Sequence, residues 1–278
     1  MSGLPAELVR GFEPEEGFAL STEAGWNQTV ADWRRLLRLV PQFCLGIREH
    51  GQLVASAVSF PYSNKLAWIG MVLTAVAHRG KGHASALLRQ CLEDLDQLGV
   101  ECVKLDATEL GRPVYQKLGF VEERPVSRWV RRPGPGPQLA PWEEIEARLD
   151  ETLLAQDAGE FGADRSVLLR EFAQEEVLAI PGQAMVFSRP GRTARHLGPC
   201  LARDSESALA LLSCMVARHG ESTIFWDLFE ENETACSLAR ALGFEPSRQL
   251  TRMYRGGGAC SNRGWSRQIY ALASFEYG

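Results

Sequence analysis

From position 84 the apolar residues Leu87, Leu88, Cys91, Leu92, Leu95 and Leu98 recur three or four places apart, with polar residues between them. That period predicts an amphipathic helix with one buried face. Upstream, the stretches 44–48, 53–60 and 68–73 are apolar or alternating runs too short for helices, and they predict strands. His50-Gly51 supplies a hairpin turn between the first two. Downstream the pattern predicts a strand at 103–107, then a helix with Pro113 in its first turn and Gly119 just past its end. A last strand is expected around Arg128-Trp129-Val130. This order predicts an α/β fold, more narrowly an α+β arrangement on a mixed sheet.

The pattern returns later in the chain. Leu118-Gly119-Phe120 reappears as Leu242-Gly243-Phe244, 124 positions on. The same spacing relates Arg79 to Arg203, Ala84 to Ala208, Leu87-Leu88 to Leu211-Leu212, Arg128 to Arg252 and Arg131 to Arg255. Several matches at one spacing indicate an internal duplication. Between the copies, Pro133-Gly134-Pro135-Gly136-Pro137 suits neither a helix nor a central strand. The expected organisation is a first domain over 1–132, a linker over 133–142 and a second domain over 143–278. Residues 20–60 have no clean counterpart upstream of 190. The apolar stretch 268–273 suits a buried terminal strand and is a candidate to cross between the domains.

Composition narrows the class. A chain of 278 residues with 45% hydrophobic and 23% charged residues fits a globular protein of about two domains. The net charge of −5, with no long basic stretch, argues against nucleic acid or an anionic membrane as the main partner. No apolar run reaches spanning length and no basic-then-apolar leader opens the chain, so a soluble, cytoplasmic protein is expected. Seven scattered cysteines without a Cys-x-x-Cys fit buried thiols in a reducing compartment. The five histidines show no ligand spacing, and no metal is expected.

Chemistry concentrates in Arg79-Gly80-Lys81-Gly82-His83-Ala84, which leads from a strand into the periodic helix. A glycine-rich turn there aims free N–H groups and the positive helix end at an anion. Gly80 and Gly82 allow close backbone approach, and Arg79 and Lys81 add charge. The turn suits a diphosphate. It is not a P-loop, since Gly-Lys-Ser/Thr is absent, nor a dinucleotide fingerprint, since the third glycine is missing. The hexapeptide by itself is also compatible with a solvated turn.

With the helix that follows and Thr108-x-x-Gly111-x-x-Val114-Tyr115-x-x-Leu118-Gly119-Phe120, the turn resembles the GNAT superfamily of N-acetyltransferases. Arg79, Gly82 and Ala84 fall on that family's acyl-CoA loop pattern. Thr108, Gly111 and Val114 replace the Asn, Ala and Leu of its second signature, so the match rests on Tyr115 and the Leu-Gly-Phe end. Residues 25–33 also resemble the N-terminal loop of some bacterial members. The second copy keeps Asn232, Ala235, Leu238 and Leu242-Gly243-Phe244, but its loop reads Arg203-Asp204-Ser205-Glu206-Ser207-Ala208. Both glycines are gone and two acids stand where phosphates would lie, while Ala239 takes the tyrosine position. The expectation is two tandem GNAT-like domains, the second without an acyl-CoA site.

The resemblance implies acetyl-CoA as donor co-substrate, an amine acceptor and a pantetheine lying along Met71-Val72-Leu73. It assigns Tyr115 the role of acid toward the thiolate; the bland alternative is a core anchor. For the base, Asp106 at a strand end and Glu109 three residues on are both candidates, with Asp106 alternatively a loop cap. Trp26 and Asn27, with Asp32, are candidates to line the acceptor pocket or else form a helix entry. Two other classes stay open: a non-catalytic acyl-CoA-binding regulator, and a scaffold whose second domain docks a partner. A homodimer is also open.

Overall fold

The computed structural model describes residues 6–137 and 145–278. Part of the expected linker, residues 138–142, and the expected start of the second domain at 143–144 lie outside the described residues. The first half runs β1 (Glu7–Arg10), α1 (Pro14–Glu23), α2 (Val30–Leu39), β2 (Cys44–Glu49), β3 (Gln52–Pro61) and β4 (Ala67–Thr74). It continues with α3 (His83–Gln97), β5 (Cys102–Ala107), α4 (Arg112–Lys117) and β6 (Val121–Arg131). The second half repeats the scheme: α5 (Thr152–Phe161), α6 (Ser166–Ala173), β7 (Val177–Ile180), β8 (Ala184–Arg189), β9 (Arg195–Ala202) and α7 (Ser205–Arg218). After these come β10 (Ile224–Phe229), α8 (Glu233–Ala241), β11 (Glu245–Gly256) and β12 (Ile269–Ala271).

Local chemistry explains the boundaries. His50 and Gly51 both take positive φ, which matches the twist of the β2–β3 hairpin. Gly119 and Gly243 close α4 and α8 in the left-handed region, as their shared Leu-Gly-Phe motif requires. Thr29 caps α2 and exchanges hydrogen bonds with Asp32, a capping box. Asp32 also binds Arg35 at 2.8 Å; it serves the helix entry, but from a buried position and not from a solvated face.

All twelve strands form one sheet, ordered β1-β2-β3-β4-β5-β11-β6-β10-β9-β8-β7, with β12 on β9. The order means that the halves trade their last long strands. β11 of the second half pairs with β5 of the first, and β6 of the first pairs with β10 of the second. Two matching ion pairs stitch this exchange. Arg252 and Asp106 are cross-strand neighbours joined by two bonds of 2.9 and 3.0 Å. Arg128 and Asp227 are likewise neighbours, joined at 2.7 Å twice. The duplicated arginines thus serve each other's halves. One apolar cluster, including Trp33, Trp68, Phe172, Phe229 and Tyr277, draws on both.

Each half contains a parallel strand pair that opens. β4 and β5 pair only at Ala67↔Val103 and Trp68↔Lys104. At that point a bulge in β4 puts Met71 at φ 53, and Ser56 Oγ donates to the Met71 carbonyl at 2.9 Å. β9 and β10 pair from Ile224↔Arg195 to Trp226↔Leu197 and then part as well. Here β12 occupies the opening: it pairs with β9, and the Tyr270 carbonyl accepts from Trp226 Nε1 at 2.8 Å. Asn232 Nδ2 donates to the Ile269 carbonyl at 3.0 Å. Within the 268–273 stretch, Ile269–Ala271 is therefore a buried strand of the second half. The residues after it cross to the first half, where the Phe275 carbonyl accepts from Trp68 Nε1 and the Tyr277 carbonyl from Tyr62 OH.

Candidate active site

The β4–β5 opening holds a cavity of about 790 Å³, within the range of a cofactor or substrate site. Ile69 to Thr74 form one wall, and past Trp68 their backbone has no strand beside it on the β5 side. Arg79, Gly80, Gly82 and Ala84 line the end nearest α3. Gly80 and Gly82 have φ of 79 and 86, and open space stands where each Cβ would be. Gly82 directly precedes α3, whose first N–H groups face this end.

The loop is braced from below by Glu49. Its carboxylate lies 2.9 Å from Lys81 Nζ, 2.8 Å from His78 Nδ1 and 2.9 Å from His83 Nε2. Lys81 and His78 hold the Glu49 carboxyl down to about 2. Tyr115 lines the opposite wall from α4, and burial pushes its phenol up to about 12. Thr108, in place of an asparagine, still caps the turn: its Oγ1 accepts from the Gly111 N–H at 3.1 Å. Asn232 does the same for Ala235 in the second half.

A family model described as "Acetyltransferase (GNAT) family" matches residues 7–120, and one described as "Acetyltransferase (GNAT) domain" matches 153–271. The chain is a tandem GNAT protein. A relative, the uncharacterized N-acetyltransferase YitH of Bacillus subtilis (strain 168), is 24% identical over 71% of this chain and 73% of its own. A Pyrococcus horikoshii protein described as an acetyltransferase shares the fold with a TM-score of 0.85 at 19% identity, covering 100% of this chain and 99% of that one. A tandem GNAT protein from the clavulanic acid biosynthesis pathway superposes at 0.65 with 14% identity over 90% and 98%.

Within this GNAT cleft, several residues singled out by sequence stand differently from expectation. Asp106 borders the cavity, but both its oxygens are held by Arg252 and its side chain is fully buried. That is a strand-fastening carboxylate, which argues against a proton-accepting role. Glu109 sits in an exposed turn outside the cavity lining. Lys81 likewise turns from the cavity to Glu49, and the His83 ring is buried against the same carboxylate. Trp26 and Asn27 both line the cavity, and the Asn27 amide also ties this corner to the second half. Its Oδ1 accepts from the Thr193 and Ala194 N–H groups, and its Nδ2 donates to the Ala194 carbonyl. Glu49, His78 and His83 bring ligand-capable atoms within 4.8 Å of one another, a grouping their sequence spacing does not announce. Lys81 already supplies positive charge there.

The far end of the cavity is built mostly by the second half. Phe225, Ser247, Arg248, Leu250, Phe275 and Glu276 line it with Arg128. Gly70 is indispensable at this corner, since a Cβ on it would lie 2.9 Å from both Glu276 Cα and the Glu276 carbonyl oxygen. Burial pushes the Glu276 carboxyl above its ordinary range, against the pull of Arg189 and Arg128. No motif marks these residues. The recurring Arg128 and Arg252 were the only trace of this end in the sequence.

Among the described residues, no helix is long and apolar enough to cross a membrane. The second half's loop forms an ordinary helix start: Asp204 caps α7 by accepting from the Ser207 N–H at 2.8 Å.

Proposed function

We propose that this protein transfers an acetyl group from acetyl-CoA to an amine in the β4–β5 cleft, and that the second GNAT domain has given up its own acyl-CoA site. The observation that carries the reading is the contrast between the two openings. One is a large cavity with a glycine-lined helix start at its mouth; the other contains β12. In this reading the diphosphate rests on the backbone of Arg79 to Ala84. The pantetheine runs beside Met71, Val72 and Leu73, whose free backbone groups hold it and polarise the thioester carbonyl.

The amine nitrogen attacks the carbonyl carbon after its ammonium form has lost one proton. As the tetrahedral intermediate collapses, the C–S bond breaks and Tyr115 gives its phenolic proton to the leaving thiolate. The tyrosinate recovers a proton from the nitrogen as the amide forms, so one proton in total is released. A phenol with a pKa near 12 stays protonated through the neutral range, as this role requires.

Calorimetric titration with acetyl-CoA tests the reading, with Tyr115→Phe carried through an amine screen. One saturable site and a large fall in turnover without loss of acetyl-CoA affinity in the variant are expected. Absence of binding to the intact chain would overturn it. Binding with no turnover of any amine would favour the acyl-CoA-binding regulator instead.

A further inference from the structure

The far end of the cavity carries two side chains of opposite charge, Arg248 and Glu276, that form no ion pair among the described residues. Arg248 and Arg128 are cross-strand neighbours on β11 and β6, so two guanidiniums stand side by side. Asp227 commits both oxygens to Arg128, which leaves Arg248 with no carboxylate of its own among the described residues. Arg248 is exposed where it lines the cavity; partial desolvation and the adjacent Arg128 work against its charge, and Asp227 supports it. An arginine does not shed its proton at neutral pH, so this end holds an excess positive charge. Facing the same cavity from the crossing segment is Glu276, whose neighbours include Gln28, Asp32, Arg128 and Arg189 and none of which forms an ion pair with it among the described residues. Its backbone rests against Gly70, one residue before the Met71 bulge, in the wall of the same cavity. Phe225, Leu250 and Phe275 provide apolar surface in the same end.

We infer that the acceptor is a zwitterionic amine, an amino acid in the broad sense, with its ammonium on Glu276 and its carboxylate on Arg248. This rests on the acetyl-transfer reading above. The ammonium passes one proton to Glu276, the neutral nitrogen attacks, and the proton then leaves to solvent. The carboxylate pairs with a guanidinium that has no carboxylate partner among the described residues. A plain cationic amine would leave Arg248 without a counter-charge in the cavity, and a diamine would place like charges together.

The test uses the full chain and amino acids with graded spacing between amine and carboxylate, from L-leucine and L-phenylalanine through 4-aminobutyrate to 6-aminohexanoate. Each is compared with its methyl ester and its decarboxylated amine. A charge-assisted pair in a partly buried site implies that at least one acid exceeds both analogues by about tenfold or more in kcat/KM. Arg248→Ala should bring that ratio toward one, and Arg248→Glu should reverse it in favour of a diamine. Glu276→Gln should lower kcat and remove the acidic limb of the rate profile. Equilibrium binding of the same amines with free CoA in the donor site keeps the charge test readable even where no transfer occurs. If amines are acetylated without regard to the carboxylate, or if Arg248→Ala leaves the ratio intact, the inference fails while the acetyl-transfer reading stands. If acetyl-CoA does not bind, the acetyl-transfer reading itself fails, and equilibrium binding of the same amines to the chain alone still decides the charge preference.

Discussion

The β4–β5 and β9–β10 openings begin from the same parallel pairing and differ in what fills them. In the first, the strands part after two paired positions and the gap is a cavity entered past Gly80 and Gly82. In the second, β12 takes the gap and gives its carbonyl to Trp226. The strand that closes one opening also equips the other, because the residues after β12 carry Phe275 and Glu276 to the first cleft. The comparison teaches that a duplicated fold can convert one binding gap into a support for its twin. The filling of the second gap and the completion of the first cleft are two ends of one segment.

The comparison can be broken most severely at the strand exchange. Arg252→Met leaves Asp106 buried without its partner, which should cost about 3–5 kcal/mol of stability in a denaturant titration. Because Arg128–Asp227 repeats the geometry, Asp227→Leu should cost a similar amount and impair the acceptor end as well. At the chemical step, Tyr115→Phe should lower kcat by about 10²–10⁴ with little change in acetyl-CoA affinity. Ala239, the equivalent in the second half, is fully buried, so a tyrosine there should destabilise the core and bring no gain of activity.

Gly82→Glu imitates the acidic loop of the second half. It imposes a side chain at φ 86 and sets a carboxylate against phosphates. Acetyl-CoA binding should fall by about a hundredfold or more, read by calorimetry alongside a thermal melt to confirm folding. The sharpest comparison is stoichiometric: wild-type binding should saturate at one acetyl-CoA per chain. Two sites would mean that β12 leaves its gap. The smallest effect is expected at the clamp between the halves, where Asn27→Ala removes the bonds to Thr193 and Ala194 and should cost about 1–3 kcal/mol.

Much of the first half was legible because its signals are local. The period from Leu87 to Leu95 gives α3, the paired glycines give the loop, and Gly119 gives the end of α4. At α2 the helix entry is marked by a capping pair, Thr29 and Asp32. The sheet order was not legible. Periodicity tells which face of β11 is buried, but not that its neighbour is β5 rather than β10. This is why Asp106 looked available for proton transfer: its partner, Arg252, lies 146 positions away and was visible only as a repeat match. The acceptor end was hidden for the same reason, since Arg248 and Glu276 reach it from separate parts of the second copy.

The strand exchange also imposes a schedule on the ribosome. The first half is made early, yet β5 waits for β11, and β6 waits for both β11 and β10. A nascent chain that has passed residue 131 has every motif by which its family is recognised and still lacks one side of its sheet. The cleft acquires its full wall only after residues 245–256 and then 275–276 have emerged. A complete cleft is therefore a late event in the life of each molecule, and a chain released early would carry the motifs of the first copy without it.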